Sequence, residues 1–176
     1  MKKRISLLLC LTLLLTLTAC GAKVPTETTV IATAAPAQTE PTRSEFVPED
    51  GIYTVSTPDE FIDAIGSDRT IHVSGGTFDL STAHTYGGDT GNETCDWEEE
   101  FDGYQLVIHD VKNLTITGDG KVATEIATQP RYAQVLAFQN CENIAVSNFT
   151  AGHTPETGSC VGGVVYLDGC TGAGFR

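Results

Sequence analysis

Three stretches of the chain carry the same order of apolar and polar positions. They are Ile108-His109-Asp110-Val111-Lys112-Asn113-Leu114-Thr115-Ile116, Phe138-Gln139-Asn140-Cys141-Glu142-Asn143-Ile144-Ala145-Val146 and Leu167-Asp168-Gly169-Cys170-Thr171-Gly172-Ala173-Gly174-Phe175, spaced 30 and 29 residues apart. In each, apolar residues stand at relative positions 0, +3, +6 and +8. A helix would bring apolar residues back every third or fourth position without the final step of two, whereas two short strands joined by a tight corner produce this spacing directly. The pattern is therefore an internal repeat of strand, corner and strand. It stacks Val111, Cys141 and Cys170 in one inward column, with Ile108, Phe138 and Leu167 in another.

Upstream of the repeat, Ser56-Thr57-Pro58-Asp59-Glu60 supplies a capping Thr, a Pro at the first helical position and a Glu three residues after the cap. Phe61, Ile62 and Ile65 follow at helical spacing and Gly66 stops the element, so one short amphipathic helix is expected. Thr70 to Val73 alternates as a strand, Ser74-Gly75-Gly76 turns, and Thr77 to Leu80 reads as a second strand. Residues 20–50 hold no hydrophobic period. They are rich in Thr, Ala, Pro and Glu, with Pro25, Pro36, Pro41 and Pro48 along them, the composition of a disordered tether spanning about 30 Å. Residues 1–19 form a basic start, Met1-Lys2-Lys3-Arg4, followed by an apolar run too short to span a bilayer, which reads as a secretory signal.

Two resemblances follow from these residues. Leu17-Thr18-Ala19-Cys20-Gly21 resembles the lipobox of bacterial lipoproteins, which implies diacylation of Cys20, cleavage before it, export, and anchorage by lipid to the outer face of the bacterial cytoplasmic membrane. The repeat, with its leading helix, resembles the right-handed parallel β-helix superfamily typified by pectate lyases and polygalacturonases, over residues 51–176. The implied fold is all-β, a solenoid whose helix plugs one end, with Asn113 and Asn143 stacked in a corner ladder and Gly172 departing from it. An antiparallel sandwich with an accidental repeat is the alternative. Because the inward series is still in phase at Phe175, the stretch is expected to be the N-terminal part of a longer β-helix.

Charge and cysteines narrow the chemistry. Ten Lys and Arg against 23 Asp and Glu give a net charge of -13, which excludes the basic patch that a nucleic-acid partner needs. Cys141 and Cys170 read as small packing residues, and a bridge between Cys95 and Cys160 is the preferred pairing if a disulfide forms. A zinc site lacks support, since no Cys-x-x-Cys occurs and only His72, His84, His109 and His153 are available. The acidic run from Asp96 to Asp102 reads as a solvated loop, with Ca²⁺ ligation the alternative. Residues 152–163 read as a long Gly-rich insertion between repeats.

Two classes of function remain. One is a non-catalytic surface module that binds polysaccharide or glycan. The other, implied by the resemblance, is a polysaccharide lyase or glycoside hydrolase, with Ca²⁺ as cofactor only in the lyase case; neither arginine of the domain before the terminus, Arg69 or Arg131, lies in a matching motif, and no catalytic residue is assigned. The expected ligand site is the external column at relative position +1, His109, Gln139 and Asp168, flanked by Tyr166 from the -1 column of Val107, Ala137 and Tyr166. Successive members would stand about 4.8 Å apart, leaving His109 and Asp168 about 10 Å apart and suited to contact, not to paired acid and base work.

Overall fold

The computed structural model describes residues 51–154 and 158–176. Residues 1–50, on which the expected signal, the expected lipidation of Cys20 and the expected tether fall, lie outside the described residues. What is described is mostly β-strand with one α-helix, an all-β chain. In chain order the elements are β1 (Ile52–Val55), α1 (Pro58–Ala64), β2 (Arg69–Val73), β3 (Gly76–Asp79), β4 (Cys95–Glu100), β5 (Gly103–His109), β6 (Leu114–Gly118), β7 (Thr124–Thr128), β8 (Leu136–Gln139), β9 (Ala145–Ser147), β10 (Thr150–His153), β11 (Val165–Asp168) and β12 (Gly174–Phe175).

The strands form three sheets, ordered β1-β2-β6-β9-β12, β10-β7-β3 and β11-β8-β5-β4. Every pairing is parallel except β4 with β5, which is inconsistent with an antiparallel sandwich among the described residues. The register follows the sequence repeat: Ile108 opposes Phe138, Phe138 opposes Leu167, Ile116 opposes Val146, and Val146 opposes Phe175. The first two copies of the repeat are buried at all four apolar positions. In the third, Leu167 and Phe175 remain 41% and 43% exposed, because β11 and β12 are edge strands.

The corners are left-handed turns. Asp110, Asn140 and Gly169 have φ of 56°, 52° and 63°, and Asn113, Asn143 and Gly172 have φ of 55°, 56° and 69°. Asn and Asp tolerate this region better than other side-chain-bearing residues because their short polar groups bond locally, and Gly tolerates it freely. Asn143 Nδ2 donates to Asn113 Oδ1 at 3.1 Å, the stack expected of the repeat. The stack also extends backwards: Asn113 Nδ2 donates to Asp68 Oδ1 at 2.7 Å, and Asp68 has φ of 59°. At Gly172 an added Cβ would lie 2.6 Å from Asn143 Oδ1, so Gly ends the stack on steric grounds as well.

Seven residues are too few for a stable isolated helix, so α1 depends on its caps and its buried face. Thr57 Oγ1 accepts from Glu60 N at 3.2 Å, as the capping signature requires. The Glu60 carboxylate reaches one residue further back than the usual box, accepting from both the backbone N–H and the hydroxyl of Ser56 at 2.7 and 2.8 Å. Phe61, Ile62 and Ile65 are buried in the core. One nearby and one distant side chain close the C-terminal end: Arg69 Nη1 donates to the carbonyls of Ala64 and Ile65 at 3.0 and 3.1 Å, and Asn92 Nδ2 donates to those of Ile62 and Ile65 at 2.7 and 3.0 Å.

Four expectations are corrected. The acidic run is not a solvated loop: residues 95–100 are strand β4, hairpinned onto β5 with Glu100 opposite Gly103, because alternate residues Cys95 and Trp97 pack inward while Asp96 and Glu98 project out. Cys95 therefore lies in a strand, fully buried, whereas Cys160 is exposed, and the Cys95 to Cys160 bridge does not form. Residues 152–163 are not one insertion, since Gly152 and His153 belong to β10. The longer loop that follows is offset by the shorter link from β9 to β10, which is why the repeat keeps its length. Lastly, the -1 column does not face open solvent along its length, for Val107 and Ala137 are buried there and only Tyr166 is exposed.

Candidate functional site

The proposed column lies on the outer face of the sheet β11-β8-β5-β4. Alternation along β5, β8 and β11 turns Ile108, Phe138 and Leu167 toward the core and leaves His109, Gln139 and Asp168 on the other face. Register brings them together as expected: His109 opposes Gln139, Gln139 opposes Asp168, and Tyr166 stands two residues before Asp168 on β11. The structure then divides the set.

His109 is held by its own neighbours. Its Nδ1 lies 3.1 Å from Asp110 Oδ2 and its Nε2 lies 3.1 Å from Asp96 Oδ2. Both carboxylates are mostly exposed, and the ring is mostly covered. A carboxylate oxygen only accepts, so both contacts are hydrogen bonds at once only when the ring carries two protons. The two contacts fix the orientation of the ring. In the sequence Asp96 was placed in the acidic run, and neither carboxylate was joined to His109. Asp110 sits next to His109 and was within reach of inspection, while Asp96 arrives only through the β4–β5 hairpin.

Gln139 and Asp168 are different. Their side chains make no hydrogen bond among the described residues, and Asp168 is exposed beside Tyr166, which is 45% exposed. The column thus offers an amide that donates and accepts, a carboxylate that accepts, and an aromatic ring, all without a partner to displace. At the other end of the same strands a second ladder sets the loops: Gln105 Nε2 donates to Glu98 Oε2 at 2.9 Å, Gln134 N donates to Gln105 Oε1 at 3.0 Å, and Gly163 N donates to Gln134 Oε1 at 2.8 Å.

Other polar groups have structural duties. Arg69 is committed to α1 and stacks 4.9 Å from the Tyr53 ring centre. His153 Nε2 bonds the Ala133 carbonyl at 2.9 Å, and His84 pairs with Asp59 at 2.8 Å. Cys141 Sγ lies 3.5 Å from the Ile108 carbonyl, and burial pushes this thiol up from its ordinary value. No cluster of three His, Cys, Asp or Glu side chains suited to a metal ion occurs among the described residues. A comparison of the chain with family models, curated proteins and solved structures gives no match.

Proposed function

We propose that this chain is a lipid-anchored bacterial surface protein whose domain, residues 51–176, is a right-handed parallel β-helix of the pectate-lyase-like superfamily that binds a polysaccharide or glycan. Parallel pairing in register supports the architecture: the three copies of the repeat stack at offsets of 30 and 29 residues in two of the sheets, and β10 pairs with β7 at 25 in the third. The lipobox-like Leu17-Thr18-Ala19-Cys20 supports the anchor.

The observation that carries the binding reading is the pair of unspent polar side chains, Gln139 and Asp168, one strand spacing apart beside the half-exposed ring of Tyr166. A sugar offers hydroxyls to such acceptors and donors, and a C–H face to the ring. Covering about 60–80 Å² of ring and sugar surface contributes roughly 2 kcal/mol, enough for a factor of about 30 in affinity. His109, held by Asp96 and Asp110, borders this column as an ordering group.

The test is glycan-array binding by the parent, Tyr166→Ala and Asp168→Ala proteins. Loss of signal in both variants sustains the site. If a ligand is found and both variants hold it as the parent does, the column is only surface. The anchor is tested separately by fatty-acid labelling of cells, which should be abolished by Cys20→Ala.

A further inference from the structure

The most exposed large apolar side chain of the described residues is Phe101, 84% exposed at the tip of the β4–β5 hairpin. Its ring lies 5.0 Å from that of Tyr132, tilted by 58°. Exposure of this order means that burial in the fold does not explain a Phe at the tip.

The tip is nonetheless held in place. The Asp102 carboxylate accepts from the backbone N–H of Arg131 at 2.9 Å, from that of Tyr132 at 3.2 Å, and from Arg131 Nε at 3.3 Å. Partial burial raises this carboxyl, but the donations from the two backbone N–H groups and the guanidinium outweigh it and leave the pKa below the ordinary carboxylate value. Behind the tip, Tyr104 N donates to Tyr86 Oη at 3.0 Å, and Pro130 backs Gly103, whose added Cβ would lie 2.5 Å from the proline ring. The third segment joins through Val161 and Gly162, whose N–H groups both donate to the Arg131 carbonyl at 2.8 and 2.7 Å. Val161 is itself exposed. Arg131 lies with its guanidinium 5.7 Å from the Tyr132 ring centre and commits only Nε to Asp102; its Nη groups make no hydrogen bond among the described residues.

We infer that Phe101, Tyr132 and the Nη edge of Arg131 form a second sugar-binding platform, specific for an uncharged pyranose ring. The inference rests on the glycan-binding reading above and adds a contact site at the opposite end of the same strands from Asp168. Size favours a small ring over a protein partner. With about 200 Å² for a whole aromatic side chain, 84% of Phe101 and 36% of Tyr132 amount to roughly 250 Å², well short of the ~800 Å² per partner of a stable protein interface. Charge favours a neutral ligand, because the chain carries -13 and the one cation at the platform is already paired with Asp102. In this geometry the sugar's C–H face lies on the rings and its hydroxyls accept from the Nη groups. Immobilisation of the platform by Asp102 in advance lowers the ordering cost of binding.

The experiment is isothermal titration of the full chain with uncharged oligosaccharides of six units (glucose, mannose, xylose and N-acetylglucosamine series). The parent is compared with Phe101→Ala, Tyr132→Ala, Phe101→Trp and the double variant Tyr166→Ala/Asp168→Ala. Phe101→Ala should weaken the tightest oligosaccharide at least tenfold with no change in melting temperature, since the ring is exposed, and Phe101→Trp should retain binding. Tyr132→Ala should weaken it comparably. If both platform Ala variants bind as the parent does while the double variant loses affinity, the platform is overturned and the column stands. If the platform variants lose affinity and the double variant does not, the platform stands and the column falls. Absence of binding by the parent to every oligosaccharide at millimolar concentration overturns the platform as an uncharged-sugar site, while retained binding of an acidic glycan on the array would leave the column intact.

Discussion

Asn113 is the middle member of the corner ladder, and substituting it separates two contributions that the structure superimposes. Its side chain donates to Asp68 Oδ1 at 2.7 Å and accepts from Asn143 Nδ2 at 3.1 Å, while its backbone sits at φ of 55°. Asn113→Gly removes both side-chain hydrogen bonds and keeps a residue at ease in the left-handed region. At this exposed corner each bond contributes about 0.5–1 kcal/mol, so the Gly variant should lose about 1–2 kcal/mol. Asn113→Ala loses the same bonds and forces an alanine into a conformation that costs about 1 kcal/mol more. The expected totals are about 1–2 kcal/mol for Gly and 2–3 kcal/mol for Ala, or roughly 4–8 °C and 8–12 °C in melting temperature for a domain of this size. Urea melts followed by far-ultraviolet circular dichroism give both values on one scale. The backbone hydrogen bond from Asn113 N to the Glu142 carbonyl at 2.8 Å is common to all three proteins and cancels. A Gly variant less stable than the Ala variant would refute the left-handed cost, and two silent variants would refute the ladder as a stabilising element.

Three further outcomes are expected. Phe138→Ala, at a fully buried position, should destabilise by about 3–5 kcal/mol, while Leu167→Ala in the same column, 41% exposed, should cost about 1 kcal/mol; equal losses would contradict the edge position of β11. For His84, the hydrogen bond and the attraction of Asp59 raise the pKa above the ordinary histidine value of about 6.5. Its contribution is therefore complete below that value and is lost as pH rises through the higher folded-state pKa, so the stability gap between the parent and His84→Ala should shrink from pH 5 to pH 8; a nuclear magnetic resonance titration placing His84 below the ordinary value would overturn this. With iodoacetamide under native conditions, Cys160 should alkylate first and Cys95 and Cys141 only after unfolding, as mass mapping would reveal.

What the sequence determined by itself is everything that depends on spacing within one repeat. Four apolar residues at fixed intervals leave one way to bury them all, so Ile108, Phe138 and Leu167 fall into register, and His109, Gln139 and Asp168 necessarily fall into register on the opposite face. The α1 cap was equally legible, because Thr57 and Glu60 act within one turn. The aromatic platform also follows the repeat, with Asp102 and Tyr132 separated by 30 residues, and it was open to a reading that carried the offset beyond the apolar columns.

The rest depended on contacts that no local period encodes. The run of glutamates in β4 hides its two-residue alternation, so only pairing with β5 reveals Asp96 beside His109 and Cys95 in the core. Asp68 joins the ladder at an offset of 45 from Asn113, because the hairpin and the loop before it lengthen that part of the chain while leaving the strand pairing intact. Asn92 likewise satisfies carbonyls at the end of α1 from a distant position, 30 residues beyond Ile62. Hydrophobic spacing fixes which way a strand faces; which polar side chains are spent on one another is decided by hydrogen bonds between segments whose separation in the chain follows no period, and that is settled only in three dimensions.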